Sequence, residues 1–172
     1  MGCDIHLYVE KRRKEGLSLR WIPSCFSGYF SERIYGMFAA LNNVRNDHNW
    51  DIKPLQDKGI PDNLAFHSFY DYYMMIVEDP KNRKNVCSKE QAEEWVKNKC
   101  SVKIEKHGFE FCSNPDWHSP NWCTVQEMEQ CYNQVFKDEK GDYIEWLALI
   151  NYMKTLESNG EYEVRAVFWF DS

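Results

Sequence analysis

The two ends of this chain alternate with a period of two. From Cys3 to Glu10, Cys3, Ile5, Leu7 and Val9 are apolar, whereas Asp4, His6, Tyr8 and Glu10 between them are polar or amphipathic. Near the other end Val164, Ala166, Phe168 and Phe170 interleave with Arg165, Val167, Trp169 and Asp171. Successive side chains of a strand point to opposite faces. Each end is therefore predicted as a strand, with one face on the core and the other left for solvent or chemistry. After the basic run Lys11 to Lys14 and a turn at Gly16, Leu17, Leu19 and Trp21 alternate again, which predicts a hairpin closed by Pro23.

Between the strands the spacing becomes helical. Ser31 reads as the N-cap of a helix to about Val44, in which Ile34, Met37, Phe38, Leu41 and Val44 face inward and Arg33 and Tyr35 outward. A long polar loop follows over 46–63, with a turn at Lys58-Gly59-Ile60-Pro61. Phe66, Tyr70, Tyr73, Met74 and Val77 fit a second helix, and Ser88-Lys89-Glu90-Gln91 is a capping box for a third through Trp95 and Val96. Val102 to Phe111 alternates around His107-Gly108 as a strand or small hairpin. Thr124-Val125-Gln126-Glu127 is a second capping box, opening a helix through Met128, Cys131, Tyr132 and Val135. A fifth helix is predicted from about Asp142 to Glu157, with Trp146, Leu147, Ile150 and Met153 inward. With no repeat or linker to divide it, the chain is expected to be one α+β domain over residues 1–172. Its small mixed or antiparallel sheet holds both terminal strands and packs with about five helices.

Composition narrows the function. With 21 Lys and Arg against 27 Asp and Glu, the formal charge of −6 argues against a surface that tracks long nucleic acid. Mean hydropathy is −0.68, and no stretch approaches the roughly 20 apolar residues of a membrane span. No membrane association is expected. The seven cysteines contain no Cys-x-x-Cys and are expected to be reduced, buried thiols of a cytoplasmic protein. Lipidation at Gly2 is not expected, because His6 stands where an acylation signal has Ser or Thr. Aromatic residues make up 16% of the chain, enough to supply a pocket for flat rings beyond the needs of the core.

Two Asp-x-His steps carry the chemistry. Asp4 and His6 share a strand face, where a carboxylate beside an imidazole either shares a divalent metal or fixes the tautomer of a proton-transferring histidine. Asp116 and His118 lie in a polar, proline-broken segment that also holds Trp117 and Trp122. It reads either as a loop lining a site or as a surface connection. His48, His67 and His107 have no spacing that joins them to a ligand set. Arg45 is placed to satisfy the last helical carbonyls or to reach a phosphate. Arg165 stands beside Asp4 or His6 if the end strands are neighbours, or makes an ion pair across strands.

The opening Met1-Gly2-Cys3-Asp4-Ile5-His6 closely resembles a large family of phage and prophage proteins. Arg33-Ile34-Tyr35-Gly36-Met37-Phe38-Ala39-Ala40-Leu41 with Val44-Arg45-Asn46, the Gly59-Ile60-Pro61-Asp62 turn and the closing Val164 to Asp171 are similar to further blocks of that family, in the same order. In a fourth block His118, Ser119, Trp122 and Thr124 align, but Pro120 replaces the second histidine of the family's His-Ser-His-Ser-Trp run. The resemblance implies that Asp4, His6 and His118 converge in one site. It also implies an enzyme that cleaves the cyclic-oligonucleotide signals of bacterial CBASS immunity in the cytoplasm of an infected host. On that reading His6, oriented by Asp4, and His118 transfer protons, while Tyr35, Arg45, Asn46, Ser119, Trp122 and Arg165 hold the ligand. A metal version gathers a divalent ion between Asp4, His6 and His118. The alternative is a protein that sequesters the nucleotide without cutting it.

Overall fold

In the computed structural model of the chain, residues 2–16, 18–47, 51–73, 77–79, 84–85, 89–98, 102–106, 109–113, 117–137 and 143–171 are described. The fold is α+β, as expected. Four antiparallel strands form its main sheet in the order β2-β1-β8-β7, where β1 is Asp4–Arg13, β2 Ile22–Phe30, β7 His118–Thr124 and β8 Tyr162–Asp171. The two ends of the chain are the two central strands and run in continuous register from Asp4 opposite Asp171 to Arg13 opposite Tyr162. The five helices are α1 (Tyr35–Asn42), α2 (Phe66–Tyr72), α3 (Lys89–Asn98), α4 (Val125–Phe136) and α5 (Ile144–Glu157). Two small hairpins complete the elements, β3 (Val77–Asp79) with β4 (Lys84–Asn85) and β5 (Val102–Lys106) with β6 (Phe109–Ser113).

The alternation at both ends is realised in the packing. Cys3, Ile5, Leu7, Val9, Val164, Ala166, Phe168 and Phe170 enter one core, where they meet Phe38 and Leu41 of α1, Met128 and Cys131 of α4 and Trp146 and Ile150 of α5. Each large side chain buried in this way contributes about 1.5–3 kcal/mol of transfer free energy. The opposite face differs from the sequence expectation, because most of it is also covered. Tyr8, Val167 and Trp169 join Tyr72, Tyr73 and Val96 in a second, aromatic core under α2 and α3. Cover on the second face is confined to the middle of the central strand pair; partial exposure remains at its two ends, around Asp4, His6 and Asp171 and around Arg12 and Glu163.

Other boundaries move for local reasons. The partner of β1 is β2 and not the segment ending at Trp21, and Pro23 lies inside that strand; an edge strand tolerates a residue with no N–H to give. Ser31 does not cap α1. The helix starts at Tyr35 behind an extended Ile34 and ends where Asn43 turns left-handed (φ 56°) and returns its N–H to Ala39. The second helix stops at Tyr72, and Val77 belongs to β3; Met74 and Ser88 lie outside the described residues. The 118–124 segment, expected as loop, is strand β7, which pairs with β8 through a bulge between His118 and Asn121 that accommodates Pro120 at the sheet edge. The Thr124/Glu127 capping box forms in both directions. In α5 the inward stripe is Trp146, Leu149, Ile150 and Met153, whereas Leu147 faces out. The i, i+3, i+4, i+7 spacing selects Leu149 over Leu147.

Candidate active site

Register determines what can meet at the open end of the sheet. Even-numbered residues of β1 and odd-numbered residues of β8 share the second face, so pairing Asp4 with Asp171 and His6 with Trp169 makes His6 and Asp171 diagonal neighbours. His6 Nε2 lies 2.9 Å from Asp171 Oδ2, and the Asp4 backbone N–H donates to Asp171 Oδ1 at 3.2 Å. An ionised carboxylate only accepts, so it holds the proton on Nε2 and leaves the Nδ1 lone pair of neutral His6 as a base. The His6 ring stacks 5.7 Å from Trp169 and sits 4.7 Å from Trp117. With 18% of its side chain exposed, the imidazole is reachable from solvent.

Asp4 has a different job from the one expected. Its carboxylate accepts from Arg33 Nε and, at 2.6 Å, from Arg33 Nη2, and at 3.1 Å from the Tyr29 hydroxyl. The Arg33 hydrogen bond is the main reason its carboxyl sits below the usual range. Asp171 is therefore the hydrogen-bond partner of His6, and Asp4 anchors a guanidinium beside it. Gly2 belongs to the same arrangement, since a Cβ there would lie 2.9 Å from Arg33 Nη1.

His118 is on the other face. It pairs with Phe170, a main-core residue, and its ring stacks 6.0 Å from that phenyl, while Nδ1 lies 3.1 Å from Ser119 Oγ. β8 separates β7 from β1, so at about 4.8 Å per strand spacing their backbones are about 10 Å apart. His6 and His118 are not brought together.

Several expected ligand-holding residues gather on the His118 side. Asn42 Nδ2 donates to the Ser119 carbonyl at 2.9 Å, across a left-handed Ser119 (φ 49°). Asn46 Nδ2 donates to Asn43 Oδ1 at 2.8 Å. Arg45 hydrogen-bonds the Cys3 sulfur, yet burial still pushes that thiol up. Tyr35 borders a separate surface cavity of about 530 Å³ with Arg33, Ile52, Val135 and Tyr143. Asp116, His48 and His107 lie outside the described residues, and His67 is exposed on α2.

Arg165 and Trp122 lie further along the sheet, away from His6. Arg165 faces Glu10 and not Asp4, four positions and about 13 Å along the strands from the His6–Trp169 pair. Its Nε donates to Glu10 Oε2 at 2.8 Å, and its remaining donors reach the Asn63 side chain and carbonyl, each at 3.0 Å. The other Glu10 oxygen accepts from Ala65 N–H at 2.8 Å and from the Ser68 hydroxyl. This buried pair fastens the start of α2. Tyr8 fastens the helix further along, its hydroxyl donating to Asp71 at 2.6 Å. At the end of α2 the Tyr72 carbonyl accepts from Trp117 Nε1 at 3.0 Å, which fixes the ring that flanks His6. Trp122 lies under Lys58 Nζ at 4.0 Å and packs against the aromatic core.

Two residues that the sequence reading passed over shape this end. Asn121, fully buried, donates to the carbonyls of Leu41 and Gln56 and accepts from Lys58 N–H, tying β7 to α1 and to the long loop. Asp171 was placed on the right face by alternation alone, but its partner follows only from strand register. Asp4, His6 and His118 do not fit a shared metal, because Asp4 is occupied by Arg33 and His118 faces away. Among the described residues no group of three or more His, Cys, Asp or Glu is arranged to hold an ion. No described helix is long and apolar enough to cross a membrane. The chain matches no protein-family model, no curated protein and no solved structure.

Proposed function

We propose that this chain is a phosphodiesterase that hydrolyses a small cyclic oligonucleotide, and that its role is the phage-encoded removal of a CBASS immune signal in the host cytoplasm. The observation that carries the chemistry is the imidazole–carboxylate pair of His6 and Asp171, partly open to solvent and flanked by Trp117. Water attacking phosphorus gives its proton to His6 Nδ1 as the new P–O bond forms. The imidazolium, stabilised by Asp171, then passes that proton to the departing sugar oxygen as the old P–O bond breaks. Arg33 gives two of its five N–H groups to Asp4 and keeps the rest for a phosphate oxygen, on a side chain that is 49% exposed. The family resemblance of the Gly2–Asp4 and Arg33–Tyr35 blocks supports the substrate class.

A second reading, sequestration without cleavage, is favoured by one observation: His6 and His118 lie on opposite faces, so a pair of imidazoles does not flank one phosphate. Both readings are tested by incubating the protein with cyclic di- and trinucleotides and cyclic ADP-ribose isomers, with and without EDTA, and chromatographing the denatured mixture. Cleavage that falls about 10²–10⁴-fold in a folded His6→Ala variant is the expected result. A nucleotide recovered intact, and only after denaturation, replaces hydrolysis with sequestration. If none is cut or retained, both readings fall.

A further inference from the structure

We propose that Trp117 is a positioning residue for His6, holding the imidazole in the orientation that keeps Nε2 on Asp171 and leaves Nδ1 for a proton. This deepens the hydrolase reading by adding a residue to the same site. It rests on that reading for its effect on turnover, but not for the placement of the ring.

A histidine on a strand keeps two side-chain torsions, and a single hydrogen bond at Nε2 leaves its ring able to swing about that atom. A corner of two indoles opposes the swing. The ring centroids of His6, Trp117 and Trp169 form a triangle with sides of 4.7, 5.7 and 6.2 Å. Trp169 lies nearly parallel to the imidazole, with 6° between the planes, and Trp117 closes the second side at a tilt of 55°. The two indoles therefore meet the imidazole from different directions, and neither replaces the other. Stacking on Trp169 alone would leave the ring free to slide in its own plane, and the tilted Trp117 blocks that motion.

The corner takes its rigidity from α2. Tyr72 holds both indoles, because its carbonyl accepts from Trp117 Nε1 at 3.0 Å and its ring meets Trp169 edge-on at 5.1 Å. Tyr72 is itself buried, at the end of a helix fastened at its start by Glu10 through Ala65 and Ser68 and further along by Tyr8 through Asp71. Tyr8 also stacks on Trp169 at 4.9 Å. The buried polar contacts under α2 thus reach His6 through Trp117 and Trp169. An imidazole placed in this way needs no reordering when a ligand arrives, whereas misplacing a reacting group by about 1 Å costs on the order of 10²-fold in rate.

Nitrogen NMR of the imidazole rings reads His6 directly, and kinetics with cyclic di- and trinucleotides reads turnover. At about pH 8, above the ordinary range of histidine, and with His6→Ala identifying the His6 signals, the intact chain is expected to show His6 protonated on Nε2 alone. Trp117→Leu removes the ring but keeps an apolar side chain. It is expected to give a mixture of the two tautomers, as the imidazole leaves Asp171 part of the time, and to lower kcat about 10²-fold with KM within about 3-fold. Trp117→Phe, which keeps a ring at the corner, is expected to restore most of both. Ile150→Val, which loosens the main core on the other face of the sheet, is expected to move neither. Circular dichroism confirms folding, and Trp117→Met is read in the same way should W117L not fold. A single tautomer in W117L, a KM that rises while kcat stays, or an equal change in I150V overturns the positioning role. Mixed tautomers in W117L, with no cyclic nucleotide cut by any form of the chain, uphold the placement of His6 and overturn the hydrolase reading alone.

Discussion

Asp171, the last residue of β8, holds His6 by its Nε2 at 2.9 Å, across 165 positions of sequence. Replacing it by Asn keeps the shape but reverses the hydrogen bond. An amide NH₂ facing Nε2 requires a lone pair there and moves the neutral ring's proton to Nδ1, which removes the base. D171N is expected to lower kcat about 10²–10⁴-fold with KM nearly unchanged. D171A, where water can replace the carboxylate as acceptor, is expected to lose less. Steady-state kinetics on both variants checks the order; equal losses would show that Asp171 acts only through folding.

The Glu10–Arg165 pair answers to stability. Both side chains are at most 4% exposed, and each oxygen of Glu10 is engaged, by Arg165 on one side and by Ala65 and Ser68 on the other. Glu10→Ala strands a buried guanidinium and is expected to cost about 3–5 kcal/mol in urea unfolding. The double change to Glu10→Met and Arg165→Met is expected to cost much less, because it removes both charges together. A double variant as unstable as E10A would mean that the ties to Asn63, Ala65 and Ser68, and not charge pairing, hold α2 in place.

What the sequence made legible was periodicity, and what it hid was partnership. Alternation gave both faces of Cys3 to Glu10 and of Val164 to Asp171, and the Thr124/Glu127 box gave the start of α4. Alternation could not tell that α2 and α3 cover the second face, so Tyr8 and Glu10 read as available for solvent or chemistry when they are buried. Register was out of reach for the same reason. Shifting β1 against β8 by two residues preserves every inward side chain yet would pair His6 with a different carboxylate or with none. Pro120 and the polar run around it read as loop because local propensity does not register an edge strand paired to β8.

Acid loss of stability isolates the Asp4–Arg33 contact. The Asp4 carboxyl is held below its usual range, chiefly by the Arg33 hydrogen bond. The folded state thus favours the ionised form. Its contribution is complete above the unfolded value of about 3.9 and disappears as pH falls through the lower folded value. In Arg33→Ala the decline of stability below about pH 4 is expected to be shallower than in the parent chain, the two profiles converging at the acid end. Urea midpoints measured from pH 6 to pH 2 check this, and parallel profiles would show that Arg33 is not what holds Asp4 ionised.

Thiol reactivity reads the packing of the main core. Cys123 and Cys131 are fully buried, and burial pushes both thiols up, Cys131 to about 12. The thiolate is the reactive form, so both combine low access with a vanishing thiolate fraction at pH 8. Cys25 lies exposed on the edge strand β2, its sulfur 3.0 Å from the Tyr152 hydroxyl. Alkylation of the native protein at pH 8, followed by peptide mass spectrometry, is expected to label Cys25 within minutes and Cys123 and Cys131 only after denaturant is added. Labelling of Cys131 at the rate of Cys25 would mean that α4 opens from the sheet far more readily than its packing against α1 and α5 allows. Because Cys131 Sγ reaches the Ala40 carbonyl of α1 at 3.5 Å, such opening would also loosen the α1 end that carries Asn42.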